Sequence, residues 1–139
     1  MSRDARAAIV AAIAIVVAIV LGFRVLGGPG TQRLVRSDER TVRSLAELAQ
    51  KIQQKWRTDS QLPPTLGSFS EKERQSPLTH KPFVYRPKSN TAFELCATFA
   101  TDNRHQEPGE AEDAWRHGKG DFCFPLDATQ SIPQAPYYY

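Results

Sequence analysis

The sequence lacks the residue patterns on which most catalytic, metal-binding and nucleotide-binding sites depend. Its 139 residues include two cysteines and three histidines, and none of them stands in a C-x-x-C or H-x-x-x-H spacing. It has no glycine-rich phosphate loop and no internal repeat. These absences predict a protein without a cofactor, a metal site or a small-molecule substrate, and they argue against an enzyme.

Polar side chains are missing altogether from the first long segment. Residues 7–23 read AAIVAAIAIVVAIVLGF, and Arg24 is the first charged residue after them. At about 1.5 Å per residue, a helix over residues 7–26 spans the ~30 Å hydrocarbon core of a bilayer. We therefore predict a transmembrane helix preceded by a cytoplasmic tail of residues 1–6. The alternative is a cleaved signal peptide, whose apolar run is shorter and ends in a small-x-small site.

The flanking charges bear on orientation. Arg3 and Arg6 precede the apolar segment, and a larger basic group follows it: Arg24, Arg33, Arg36, Arg40 and Arg43. A literal count of flanking cations places the C-terminal part in the cytoplasm. Long domains, however, translocate largely regardless of such charge, and paired cysteines favour an oxidising compartment. We predict a single-pass protein of the inner membrane with its C-terminal domain outside the cytoplasm.

A second helix, amphipathic in character, is predicted over residues 31–58, after a break at Gly27-Gly28-Pro29-Gly30. Its apolar positions recur at three- and four-residue steps, and Asp38 occupies one place in that series. These positions are Val35, Val42, Leu45, Ala49, Ile52 and Trp56. The basic arginines on its other face are typical of a solvated or lipid-headgroup surface rather than of a nucleic-acid groove.

Three short strands are predicted after the helix. The segments are residues 82–87, which end at Pro87, residues 92–101, which alternate apolar and polar, and residues 121–127. A polar turn at residues 88–91 joins the first two. A helix followed by a small antiparallel sheet makes an α+β domain, predicted over residues 31–127, with residues 128–139 as a disordered tail.

The two cysteines fall on neighbouring predicted strands. Cys96 lies in the second strand and Cys123 in the third, so a disulfide between them is the favoured interpretation. Two free buried thiols are the alternative.

Three other site hypotheses remain open. One is a zinc site formed by His80, His105 and His117 with Cys96 and Cys123, and another is a nucleophilic pair of His117 with Cys96 or Cys123. Both need free thiolates. The acidic cluster Glu107, Glu110, Glu112 and Asp113 is typical of a solvated loop but offers carboxylates for calcium or acid–base chemistry. Trp115 is expected to fold back over the disulfide and the sheet, with partner binding as the alternative.

The order of these segments resembles that of type II secretion pseudopilins and type IV pilins. It is most similar to small bacterial membrane-anchored proteins with paired Leu-Cys-Ala-x-Phe and Gly-x-x-Cys-Phe segments. The residues that carry the resemblance, and to which we assign a structural role, are Leu62, Pro63, Tyr85, Leu95, Phe99, Trp115, His117, Gly120 and Phe124.

The resemblance implies a pilin-like head on a membrane helix, with a structural or protein-interaction role in a bacterial envelope, secretion or pilus system. Its expected partners are the lipid bilayer and other pilin-like or envelope proteins, with no nucleic acid. Pilins that assemble carry a glutamate early in the apolar helix, and no acidic residue stands in residues 7–26 here. A stand-alone anchored scaffold or sensor domain that forms no filament is therefore the alternative.

Overall fold

The protein has an α+β fold, described by a computed structural model over residues 3–26, 28–105 and 113–135. Its helices are α1 (Arg3–Leu26) and α2 (Pro29–Asp59), and its strands are β1 (Val84–Pro87), β2 (Ala92–Phe99) and β3 (Gly120–Asp127). The chain divides into two compact units, Met1–Arg33 and Leu34–Tyr139. The predicted α+β class, with a long N-terminal helix, a three-stranded antiparallel sheet and one disulfide, is confirmed.

Helix α1 is apolar over residues 7–23, and its large apolar side chains there are exposed. Its most apolar window of 18 residues has none of its residues buried. By length and composition α1 is able to cross a bilayer, a property that signal sequences and the core helices of soluble proteins share. Membrane insertion of α1 therefore stays a prediction.

Helix α2 is amphipathic, as predicted, but longer than residues 31–58. It begins at Pro29, because the fixed backbone angle of proline suits the first turn of a helix. It ends at Asp59, where Ser60 adopts a left-handed conformation with φ of 56°. The Ser60 amide then donates to the Trp56 carbonyl at 2.7 Å, which closes the last turn.

The sheet has the order β1-β2-β3, and both pairings are antiparallel. The first strand is shorter than the predicted 82–87, since Pro82 forms only an isolated bridge with Gln75. The predicted turn is present: the Lys88 and Ser89 amides donate to the Ala92 carbonyl at 2.9 and 3.1 Å. Strand β2 stops before residues 100–101, whose amides bind a side chain of α2 instead of a strand.

One face of the sheet packs against α2 and forms the core. Alternate residues of β2 are buried there, as the period of two predicts. The sheet contributes Phe93, Leu95, Ala97, Phe99 and Phe124, and α2 contributes Val42, Leu45, Ala46, Leu48, Ala49 and Ile52. Trp56, Leu62 and Tyr85 are partly buried at the edge of this cluster.

The prediction of a disordered tail from Ala128 is wrong for residues 128–135. Ala128 and Ile132 are buried in the core cluster, and their segment lies against α2. Gln53 of α2 donates through Nε2 to the carbonyls of Ala128 at 3.0 Å and of Gln130 at 2.5 Å. A segment without periodicity is ordered here because a buried amide satisfies its backbone. Tyr137 to Tyr139 lie outside the described residues.

Candidate functional site

The nine motif residues fall into two clusters on the core side of the sheet. The first joins the segment after α2 to strand β1. The Tyr85 hydroxyl donates to the Pro63 carbonyl at 2.9 Å, and its ring lies 5.9 Å from that of Phe93. Burial raises the pKa of Tyr85 to about 12. The hydroxyl therefore stays protonated at neutral pH and keeps its role as a donor. Its hydrogen bond to Pro63 holds the Leu62-Pro63 segment against the sheet.

The second cluster is aromatic and lies at the opposite end of β2. Phe124 pairs with Leu95 across the sheet and contacts the Trp115 ring at 4.9 Å between centroids. The Phe99 ring stacks on the His117 imidazole at 3.7 Å. The indole N–H of Trp115 donates to the Pro133 carbonyl at 3.1 Å, so the cluster also holds the C-terminal segment.

Gly120 is the first residue of β3. It pairs with Phe99 and has φ of 95°, a conformation that L side chains rarely adopt. A glycine at this position lets the chain turn from the loop that carries Trp115 and His117 into the strand.

The Asp38 carboxylate is the most heavily hydrogen-bonded group of this region. It accepts from the amide of Ala100 at 3.0 Å and from the amide and hydroxyl of Thr101 at 2.7 and 2.6 Å. Asp38 is only 5% exposed. These amides follow the last residue of β2 and have no strand partner, so the carboxylate satisfies them and they in turn stabilise its charge. The hydrogen bonds join α2 to the end of β2.

His117 is 2% exposed, and the charge of the Asp38 carboxylate acts on its imidazole. Burial lowers the pKa of its imidazole, while its bond to the Gly118 carbonyl and the charges of Asp38 and Asp102 act in the opposite direction. Its backbone is held on both sides by Asn103, whose side chain accepts the His117 amide at 2.7 Å. The neutral, buried imidazole therefore packs against Phe99 and anchors its loop to the core.

The disulfide lies on the other face of the sheet. Cys96 and Cys123 are directly opposite in register, with their Cα atoms 3.9 Å apart. The prediction that Trp115 covers the disulfide is wrong. Trp115 contacts Phe124, and because successive side chains alternate between faces, Phe124 points away from Cys123.

A shallow hollow of about 310 Å³ surrounds the disulfide on this outer face. Its rim combines charges of both signs with apolar surface, from Lys81, Pro82, Val84, Arg86, Thr98 and Asp121. The Glu94 carboxylate lies close to both sulfurs. It forms an ion pair with Lys88 at 3.2 Å, and bonded sulfurs offer no thiolate to a metal.

The structure does not bring the proposed histidine ligands together with the cysteines. His117 is in the core on the α2 side of the sheet, and His80 and His105 are exposed on loops. With both sulfurs bonded to each other, neither a Cys–His pair nor a zinc site forms from these residues. Of the acidic cluster, only Asp113 lies within the described residues, where it pairs with Arg116 at 2.7 Å.

Sequence reasoning missed the roles of Asp38 and Gln53. The available signal was the same for both: a polar residue at a position of α2 that faces the core. Comparison of the chain with protein-family models, with curated proteins and with solved structures finds no match.

Proposed function

We propose that this protein is a single-pass protein of a bacterial inner membrane that displays a pilin-like head outside the cytoplasm. One observation carries the proposal: α1 presents a continuous apolar surface that no described part of the chain covers. Such a surface on a helix of this length favours a bilayer environment. The remaining unit holds a disulfide, which favours an oxidising compartment.

The role we propose is structural or protein-binding rather than enzymatic. The head has one ordered core, a solvent-facing sheet face and no free thiol among its described residues. Small residues on α1 permit close approach of a second membrane helix. They are Ala7, Ala8, Ala11, Ala12, Ala14 and Ala18.

A stand-alone anchored scaffold or sensor is the second candidate. It is favoured by the sequence of residues 7–26, which holds no carboxylate to pair with the N-terminal amine of a neighbouring subunit. Co-expression of two differently tagged copies separates the candidates. Lateral assembly predicts co-purification that substitution of Ala11 and Ala18 by leucine abolishes, whereas a stand-alone domain purifies as a single copy.

Topology is tested by thiol labelling in spheroplasts. We expect the full chain to fractionate with membranes and to resist carbonate extraction. An impermeant reductant followed by an impermeant maleimide should label Cys96 and Cys123 in intact spheroplasts, whereas omission of the reductant should leave them unlabelled. A freely soluble full-length product would refute the anchor, and labelling that needs lysis would refute the orientation.

A further inference from the structure

Three exposed arginines form a straight row on α2. Arg36, Arg40 and Arg43 follow one another at four- and three-residue steps, so they share one side of the helix. The buried residues Leu45 and Ile52 lie on the opposite side of the same helix. We name this row the arginine face. Its three residues are exposed and point away from the core of the head, and Arg43 borders a hollow that Ala135 of the C-terminal segment also lines.

Two carboxylates accompany the arginine face. Glu39 lies between its members in the chain and attracts Arg36 and Arg43, and the exposed Glu47 follows Arg43 by one turn on the same side, so three cations against two anions leave an excess of one positive charge. Among the described residues, no ion pair within 4.0 Å joins these arginines to a carboxylate. The nearby Asp38 is on the buried side, where backbone amides bind it.

The second half of α2 is different. Lys51 forms an ion pair with Glu73, and Lys55 forms one with Asp59 at 3.0 Å. The two ion pairs of α2 therefore lie in its second half, whereas the arginine face lies in the half that follows α1 most closely in the chain and forms none among the described residues. From Pro29, Arg36 and Arg43 lie about 10 and 21 Å along the helix axis.

We propose that the arginine face binds the phosphate groups of anionic phospholipids at the surface of the membrane that holds α1. The inference rests on the proposed anchor, which keeps this face at a high local concentration next to headgroups. Arginine forms paired hydrogen bonds with phosphate, and each basic residue near an anionic surface strengthens binding. Residues 29–55 contain no aromatic side chain on which bases could stack, which disfavours nucleic acid.

The test uses the full chain reconstituted into nanodiscs of phosphatidylcholine with a minor fraction of phosphatidylglycerol. Native mass spectrometry then counts the lipids of each kind that stay bound when the disc is removed. We expect a preference for phosphatidylglycerol that falls about tenfold or more in the triple variant R36Q/R40Q/R43Q. The variant K51Q/K55Q/R57Q removes the same charge from the other half of α2 and should keep the preference.

A second variant guards against loss of folding. R36K/R40K/R43K keeps the charge and should retain most of the preference, and the preference should weaken when salt is raised because charged contacts are screened. Equal binding of both lipids by the wild-type chain, or an equal loss in both glutamine triple variants, would overturn the proposal. So would displacement of the lipid by millimolar inorganic phosphate, or tighter binding of a DNA duplex.

The two proposals fail differently. If the chain does not enter nanodiscs at all, the proposed membrane anchor is refuted, and the proposed lipid binding by the arginine face is refuted with it. If the chain enters them and shows no lipid preference, the anchor stands and only the arginine face is refuted.

Discussion

Asp38 joins the first half of α2 to the end of β2. Replacing it by alanine leaves the partly buried amides of Ala100 and Thr101 without their acceptor, and an unpaired donor shielded from water costs about 1–3 kcal/mol. We expect D38A to lower the free energy of unfolding by about 2–4 kcal/mol in urea titrations of the full chain in mild detergent.

The matched control for Asp38 is Asp59 on the same helix. Asp59 is exposed and pairs only with Lys55, so D59A should change the free energy of unfolding by no more than about 0.5 kcal/mol. Equal effects of the two substitutions would show that the buried hydrogen bonds of Asp38 add nothing to stability.

His117 makes stability depend on pH. Burial lowers its pKa in the folded protein, whereas the unfolded chain has the ordinary value of about 6.5. The unfolded state therefore binds the proton more readily. The contribution of His117 to stability is complete above pH ~6.5 and is lost as the pH falls from there through the folded-state pKa.

Urea titrations at pH 7.5 and pH 5.5 measure this dependence. The substitution H117F keeps a stacked ring on Phe99 but cannot titrate, so it should reduce the loss of stability between the two pH values. H105Q, at an exposed position, should leave the loss as it is in the wild type. An unchanged pH dependence in H117F would rule out His117 as its source.

The positions of these residues were only partly predictable. The place of Asp38 in an apolar series identified it as facing the core, but its acceptor role depends on where β2 ends, which the sequence alone does not settle. Burial of Trp115 was predicted and is observed. The face of the sheet that Trp115 covers was predicted wrongly. Trp115 lies in a loop before β3, and sequence pattern does not show to which face such a loop folds.

Gln53 holds the C-terminal segment of residues 128–135 against α2. Replacing it by alanine removes both hydrogen bonds from its Nε2 atom, to the carbonyls of Ala128 and Gln130. We expect the amides of residues 128–135 to exchange with deuterium more rapidly in Q53A, with a loss of about 1–2 kcal/mol of stability.

The neighbouring Gln54 provides the control for this segment. Gln54 is exposed on the same helix, so Q54A should leave the exchange of residues 128–135 unchanged. If Q53A also leaves it unchanged, then the indole bond of Trp115 to Pro133 suffices to hold the segment.

The helices and the sheet were the most predictable elements. Alternation over residues 92–101 predicted the second strand, and the two cysteines indicated that it neighbours the third. The structure adds the register, in which a shift of one residue would bury Glu94 and Thr98. The boundaries moved for local reasons, such as proline at the start of α2 and capture of the Ala100 amide by Asp38. The segment 128–135 has no periodicity, so its order was beyond any argument from local pattern.

The division of the chain into two units has a consequence for folding. Among the described residues, every buried side chain lies in the unit Leu34–Tyr139, beginning with Asp38. That unit also contains the Cys96–Cys123 disulfide, whose loop contributes about 3 kcal/mol in the chain-entropy account. Helix α1 contributes no buried residue to this core, so we expect the unit to fold without the proposed anchor.

We therefore expect a chain that lacks residues 1–33 to be soluble without detergent and to unfold cooperatively in urea, at a midpoint close to that of the full chain in mild detergent. The same truncation with both cysteines changed to alanine should unfold at lower urea, since only its unfolded state gains freedom. Aggregation of the truncated chain with its disulfide intact would show that α1 supports the head. We do not expect this outcome, because the core contains no residue of α1 and the large apolar side chains of α1 are exposed.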